Sequence, residues 1–326
     1  MSIALAVSFG SVRIPVGDVW AIVGHRLSGG VFVSWWSEAR ERIVIDSRLP
    51  RALTAAVVGA ALAVGGALAQ AVTRNPLADP YLLGVSAGAG FGVVLVTVLG
   101  IGAGLAGVFT TPLAAFLGAM VPLFAALVIG GRYQNVTGVI LVGVALAQVF
   151  SALTMFVLLV IADEHQLSAV LRWLAGGFGD ARWSSLIYPA VTLAVVGTVA
   201  GFSARRLNLL HAGDDGATAL GMNVRRFRVL TLLGVSVLAG AAVAVSGGIG
   251  FVGLLVPHVA GFLVGVSAVR LLPVAALLGA VTLVLADLAA RAVSSGTELP
   301  VGVVTALVGA PIFIAMLYRQ YRGTQS

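Results

Sequence analysis

Asp287 and Arg291 stand four residues apart in the stretch LADLAARAV. On a helix that spacing puts the two side chains on one face, where they can pair. An acid left unpaired inside a membrane would instead suit a proton relay. Ser86, in GVSAG, carries the letters of a nucleophile elbow, with glycines at 84 and 88. No strand–turn–helix pattern surrounds it, and no acid and histidine partners are evident. The four histidines, at 25, 165, 211 and 258, show no ligand spacing, and H-E-x-x-H does not occur, so no metal site is expected. Cysteine is absent, which removes disulfides, thiolate ligands and thiol nucleophiles. Lysine is absent as well: all 19 basic residues are arginine. A Walker A loop needs its lysine on the β/γ-phosphates, so any ATP that drives this protein is hydrolysed on another polypeptide.

The elements that hold these residues are dictated by composition. The chain has 326 residues, of which 60% are hydrophobic and 10% charged. A soluble domain carries roughly 25% charged residues, and a globule this poor in charge cannot cover its surface. With a mean hydropathy of +1.08, the composition fits lipid as solvent and excludes a soluble enzyme. The net charge of +7 is read as loop arginine that sets orientation, not as a nucleic-acid surface. Nine stretches are apolar enough for spanning helices: roughly 52–72, 83–99, 108–129, 138–161, 186–202, 229–245, 251–266, 271–290 and 301–317. Several are short or closely spaced, as half-helices would be. Gly84, Gly88 and Gly92 repeat on one helical face and permit close backbone approach. The run GVSAGAGFG lacks the G-x-G-x-x-G spacing of a nucleotide loop.

Before residue 52 the pattern changes. Residues 3–9 are apolar but too short to span, and they lack the features of a signal peptide. Val16, Val19, Trp20 and Val23 recur at helical spacing, with Pro15 suited to a first turn. Trp20, Trp35 and Trp36 suit a membrane–water interface. If the last span ends inside, 10 arginines fall on the cytoplasmic side (74, 132, 205, 206, 225, 226, 228, 270, 319 and 322), against Arg172, Arg182 and Arg291 on the other. Six more, at 13, 26, 40, 42, 48 and 51, then lie outside, against the rule.

Two loops carry further information. Residues 203–228, SARRLNLLHAGDDGATALGMNVRRFR, form the longest polar loop inside. Asp214 or Asp215 can cap a short helix, Gly221 can stop it, and a second short helix can begin near Asn223. The loop is read either as a docking surface for a soluble partner or as a connector. Asn75–Pro76–Leu77–Ala78–Asp79–Pro80 makes a stiff inner turn, because its two prolines prevent helix continuation. At the outer start of a span, Arg48 and Arg51 lie three apart on one face, suited to an acidic partner or to lipid phosphate.

Four segments taken together resemble the FecCD permease family. They are RLPRALTAAVVGAALAVGGALAQAVTRNPLADPYLLGVSAGAGFG, GDDGATALGMNVRRFR, GGIGFVGLLVPH, and LADLAARAV followed by GTELPVGVVTALVGAPIFI. The resemblance runs from Phe9 to Arg319. It implies an all-α fold, the polytopic transmembrane helical bundle of a type II ABC importer permease, as one transmembrane domain over 1–326 with a cytoplasmic coupling loop at 203–228. It also implies a homodimer in membrane lipid, two cytoplasmic ABC ATPase subunits, and an extracytoplasmic substrate-binding protein. No cofactor is expected in this chain; ATP and Mg belong to the partner ATPase. Arg48, Arg51 and Arg291 match positions that dock the binding protein. Gly213, Asp214, Asp215, Ala217, Leu220 and Gly221 match the coupling element. Asn75 and Leu77, with Asn135 and Thr137, match the cytoplasmic gate.

The sequence departs from the family pattern twice. Only about eight residues precede Phe9, where the family has a complete first span, so nine full spans plus a fragment are expected. The common P-H-x-x-R reads Pro257–His258–Val259–Ala260–Gly261, without the arginine. The resemblance implies import of a ferric siderophore, haem or, third, cobalamin by alternating access. Rival readings are a proton-coupled transporter using Asp287, an intramembrane enzyme using Ser86 or His258, and a scaffold.

Overall fold

The computed structural model describes residues 2–9, 14–29, 35–102, 107, 110–130, 136–293 and 298–323. The described residues form helices and their connections, without strands. Three helices precede the bundle: α1 (Ser2–Ser8), α2 (Val16–Leu27) and α3 (Glu38–Arg42). The rest are α4 (Leu49–Thr73), α5 (Val85–Thr97), α6 (Thr110–Gly130), α7 (Val136–Val160), α8 (Glu164–Ala175), α9 (Trp183–Leu209), α10 (Gly213–Ala219), α11 (Val224–Ser246), α12 (Val252–Val264), α13 (Ala268–Ala292) and α14 (Val301–Gly323).

Each of the nine apolar stretches lies largely within one of these helices. Six helices are long and apolar enough to cross a membrane; Val85–Thr97, Val252–Val264 and Val301–Met316 are shorter apolar segments. The helix containing α4 begins earlier than Pro50 suggests. It runs unbroken from Glu38 to Thr73 through a π-helical turn at Ile43–Arg48. That turn loosens the backbone ladder, and Trp183 Nε1–H donates to the Ile45 carbonyl at 3.0 Å. Ser37 caps the start, its side chain accepting from Arg40 N–H.

The bundle is organised around α4, which is buried along most of its length and packs against α9, α11, α12 and α13. Helices have no hydrophobic drive to associate in lipid, so backbones must approach closely to gain dispersion contacts. Glycine permits this at several crossings. A Cβ on Gly59 would run into the Gly279 carbonyl of α13, and one on Gly66 into the Gly253 carbonyl of α12. Gly88 and Gly92 do the same for α5, abutting Gly118 and Ala114 on α6, whereas Gly84 precedes the helix in a left-handed conformation (φ 75°) rather than sharing its face. α7 and α9 instead turn mostly exposed apolar side chains outward, Phe156, Leu159 and Phe202 among them.

The shortness of α5 and α12 has a local cause. After α4, Arg74 takes a left-handed backbone (φ 51°) and ends the helix. Asn75 Oδ1 accepts from Leu77 N–H at 2.9 Å, and Asp79 Oδ1 accepts from Tyr81 N–H at 2.8 Å. These two side-chain turns fold the chain back on itself, until Pro80 reaches Gly65, well inside α4, and Gly253, in the first turn of α12. α5 therefore starts partway through the bundle. α12 is likewise preceded by the irregular run Gly247–Gly250 and a left-handed Phe251 (φ 68°). There the end of α8, the end of α11 and the start of α14 meet. Gly177 N–H donates to Ser246 O at 2.8 Å, and Cβ atoms on Gly176 or Gly302 would meet the Gly248 carbonyl.

Candidate functional site: charged clusters at the two ends of the bundle

At one end of the bundle lie Arg48, Arg51, Asp287, Arg291 and Glu298. Arg51 projects from the first turn of α4. Its Nε–H and Nη2–H donate to Asp287 Oδ1 at 3.0 and 2.9 Å, and its Nη1–H donates to Glu298 Oε1 and Oε2 at 3.0 and 2.9 Å. Arg291, one turn beyond Asp287 on α13, forms an ion pair with Asp287 Oδ2 at 3.1 Å. Arg291 also donates to the Phe9 and Ala6 carbonyls, both at 2.9 Å, while Arg48 donates to the Val7 carbonyl at 2.9 Å. Two guanidiniums thus satisfy the orphan carbonyls at the C-terminus of α1, where positive charge also complements the helix dipole.

The structure brings the three expected docking arginines into one cluster, but largely enclosed. The Arg51 and Arg291 side chains are 11% and 10% exposed, and Arg48 is buried. Asp287 is 1% exposed and ion-paired to both Arg51 and Arg291. An unpaired relay acid is therefore not what this position offers. Glu298, 247 residues from Arg51, is the member that spacing did not reveal.

At the other end, α10 carries the expected coupling residues. Asp214 does not cap it by a side-chain hydrogen bond. Its carboxylate is taken by two guanidiniums instead. Arg228, in the second turn of α11, grips it in a two-point contact at 2.6 and 2.7 Å, and Arg74 Nη2 lies 3.1 Å away. The Arg228 hydrogen bonds, with the charges of Arg228 and Arg74, hold the Asp214 carboxyl below the ordinary carboxylate range. Asp215 faces solvent, Ala217 is buried and anchors the short helix, and Leu220 is exposed. Gly213 and Gly221 flank the helix at positive φ (85° and 82°). The helix expected near Asn223 is the long α11, capped by Asn223 Oδ1 at 2.9 Å from Arg226 N–H.

Of the residues expected at the gate, Asn75 and Leu77 lie in the turn that follows Arg74, which pairs with Asp214. Asn75 follows Arg74 directly, Leu77 is 40% exposed, and Thr137 sits at the exposed start of α7; Asn135 lies outside the described residues. A cavity of about 910 Å³ opens here between α4, α9, α12, α13 and α14, with Gln70, Arg74, Asn75, His211, His258 and Phe262 among its walls. Gly261 also lines it, and a Cβ there would meet nothing within 4 Å. His258 packs edge-on against Phe262 (4.9 Å between centroids). Ser86 abuts Gly248, at a helix packing contact rather than an elbow. No group of three or more acids and histidines suited to a metal occurs among the described residues.

An all-helical bundle with short inner half-helices and a charged loop element at one end invites comparison with transporters. The profile of the FecCD transport family matches residues 1–319. The chain belongs to the FecCD transport family. It is 39% identical over its whole length to 92% of an uncharacterised ABC transporter permease protein of Bacillus subtilis. The hemin transport system permease of Yersinia pestis is 40% identical over 87% of the chain and 85% of that protein. The vitamin B12 import system permease of Salmonella paratyphi A is 37% identical over 99% of the chain and 95% of that protein. A solved structure described as an inward-facing conformation of a metal-chelate type ABC transporter superposes with a TM-score of 0.85. It shares 30% identity and covers 98% of this chain and 95% of its own. The protein is a FecCD permease, a transport subunit of an ABC importer in the bacterial inner membrane.

Proposed function

We propose that this permease imports an iron chelate, a ferric siderophore or haem before cobalamin, in an ATP-driven cycle of alternating access. Two copies enclose the passage. A loaded binding protein docks at the end carrying Arg51 and Arg291. Two ATPase subunits grip the opposite end at the loop 203–228, and the ATP and Mg chemistry resides on them. The supporting observation is the Arg74–Asp214–Arg228 bridge. Asp214 sits on the coupling helix, Arg74 immediately precedes Asn75 and Leu77 of the gate turn, and Arg228 lies near the start of α11. A displacement of α10 by a nucleotide-driven partner is thereby passed to the gate turn through a charge-assisted contact rather than through free loop.

The passage needs no iron ligands of its own when the binding protein selects the cargo. A weakly interacting apolar wall lets a large chelate leave without a deep trap. Reconstitution of the permease with its ATPase and binding protein in proteoliposomes tests the proposal. ATP-dependent uptake of radiolabelled ferric siderophore, haem or cobalamin is expected. Uptake that follows a proton gradient and persists without the ATPase overturns it.

A further inference from the structure

The outer cluster holds three guanidiniums and two carboxylates, and the two carboxylates differ in kind. Asp287 is 1% exposed, rises from the body of α13 and touches both Arg51 and Arg291. Glu298 is 56% exposed and lies just before α14, and the partner it meets is Arg51. Arg51 therefore has two functional edges. The Nε/Nη2 edge is seated on Asp287 within the bundle, and the Nη1–H group faces outward into the Glu298 carboxylate. Arg48 and Arg291 direct N–H groups to the last carbonyls of α1. The outward N–H of Arg51 is the one that a carboxylate arriving from outside can take over without dismantling the cluster.

We infer that Glu298 is an internal stand-in for an acidic side chain of the docking partner: it occupies Arg51 in the undocked permease and is displaced when the partner's carboxylate takes its place. This rests on the docking role proposed above for Arg51. The exchange is energetically balanced. Arg51 keeps its seat on Asp287, one carboxylate replaces another on Nη1, and Glu298, already more than half exposed, withdraws into water. A charge-assisted pairing exchanged for an equivalent one costs little, whereas exposing the bare guanidinium beside two others would leave positive charges unbalanced at the surface. The device also gates affinity. While Glu298 holds Arg51, the competent fraction of the permease is reduced, and apparent affinity falls in proportion.

The test is docking to the complete transporter, permease and ATPase, in lipid nanodiscs. The probe is a purified substrate-binding protein that supports uptake in the proteoliposome assay above. Glu298→Gln removes the competing charge at constant size and should tighten docking about three- to tenfold. Glu298→Asp keeps the charge but shortens the reach by one methylene, and should tighten docking at least about twofold. Arg51→Lys leaves a cation beside Asp287 but cannot fork to two carboxylates at once. It should weaken docking and abolish the gain from Glu298→Gln. If Glu298→Gln and Glu298→Asp dock as wild type or more weakly while Arg51→Lys impairs docking, the stand-in is wrong and the docking role stands. If Glu298→Gln alone tightens docking, the effect is one of long-range field, and displacement is again refuted. Should Arg51→Lys dock like wild type, the docking role and the stand-in fall together.

Discussion

At the residue scale, the outer cluster turns on Asp287. Its carboxylate offsets two guanidiniums in a setting where water cannot, so removing its charge leaves both partners enclosed and underpaired. Breaking a buried pair from one side costs about 3–5 kcal/mol. Asp287→Asn is therefore expected to lower the Tm of the purified permease substantially, and an unchanged Tm would contradict the pairing. Only part of this was legible in the sequence. The i,i+4 spacing exposed the Asp287–Arg291 pair, because helical periodicity is local. The contacts of Arg51 with Asp287 and Glu298 span 236 and 247 residues and exist only once α4, α13 and the start of α14 are brought together. The further contacts of Arg48 and Arg291 were hidden for a similar reason: these acceptors are main-chain carbonyls of α1, which no side-chain pattern announces.

At the element scale, helix crossings and the polar loop at 203–228 make separate demands. Apolar runs located the helices because lipid imposes a simple length rule, although only six of the nine reach spanning length. The early start of the α4 helix was missed because Glu38–Arg42 is charged and reads as loop. The stripe of small residues on α5 was readable, but the contacts of Gly66 and Gly59 on α4 required the fold. Gly66→Val should prevent stable folding, since its Cβ would enter the Gly253 carbonyl and backbone cannot yield as a side-chain tip does. Gly201→Ala, on α9 with nothing within 4 Å of its new methyl, should be neutral or slightly stabilising, as alanine is the better helix former. Monodispersity on size exclusion, with Tm, separates the two. For the loop, Asp214→Asn removes the charge that both guanidiniums share and one of its two acceptor oxygens. It should still co-purify with the ATPase, because the exposed Leu220 and Asp215 remain, but transport per ATP should fall about tenfold.

At the scale of the whole molecule, α4 is the member common to both ends. Arg51 lies in its first turn and Arg74 just past its last; at 1.5 Å rise per residue they stand about 35 Å apart, enough to cross a hydrocarbon core of about 30 Å. The outer charge cluster and the Asp214 bridge therefore sit at opposite membrane faces, joined by the most enclosed helix in the bundle. The orientation that arginine distribution favours puts the Asp214 end and its cavity in the cytoplasm. The absence of cysteine makes this directly measurable, since any introduced thiol is unique. Gly261→Cys places one on the cavity wall, where the added Cβ meets nothing within 4 Å. Val293→Cys places one at the opposite end, at a position 72% exposed. A membrane-impermeant maleimide should label Cys at 261 in inside-out vesicles and at 293 in right-side-out vesicles. The reverse pattern would invert the permease, move the Arg51 cluster to the cytoplasmic face, and leave the ATPase nothing to grip at α10.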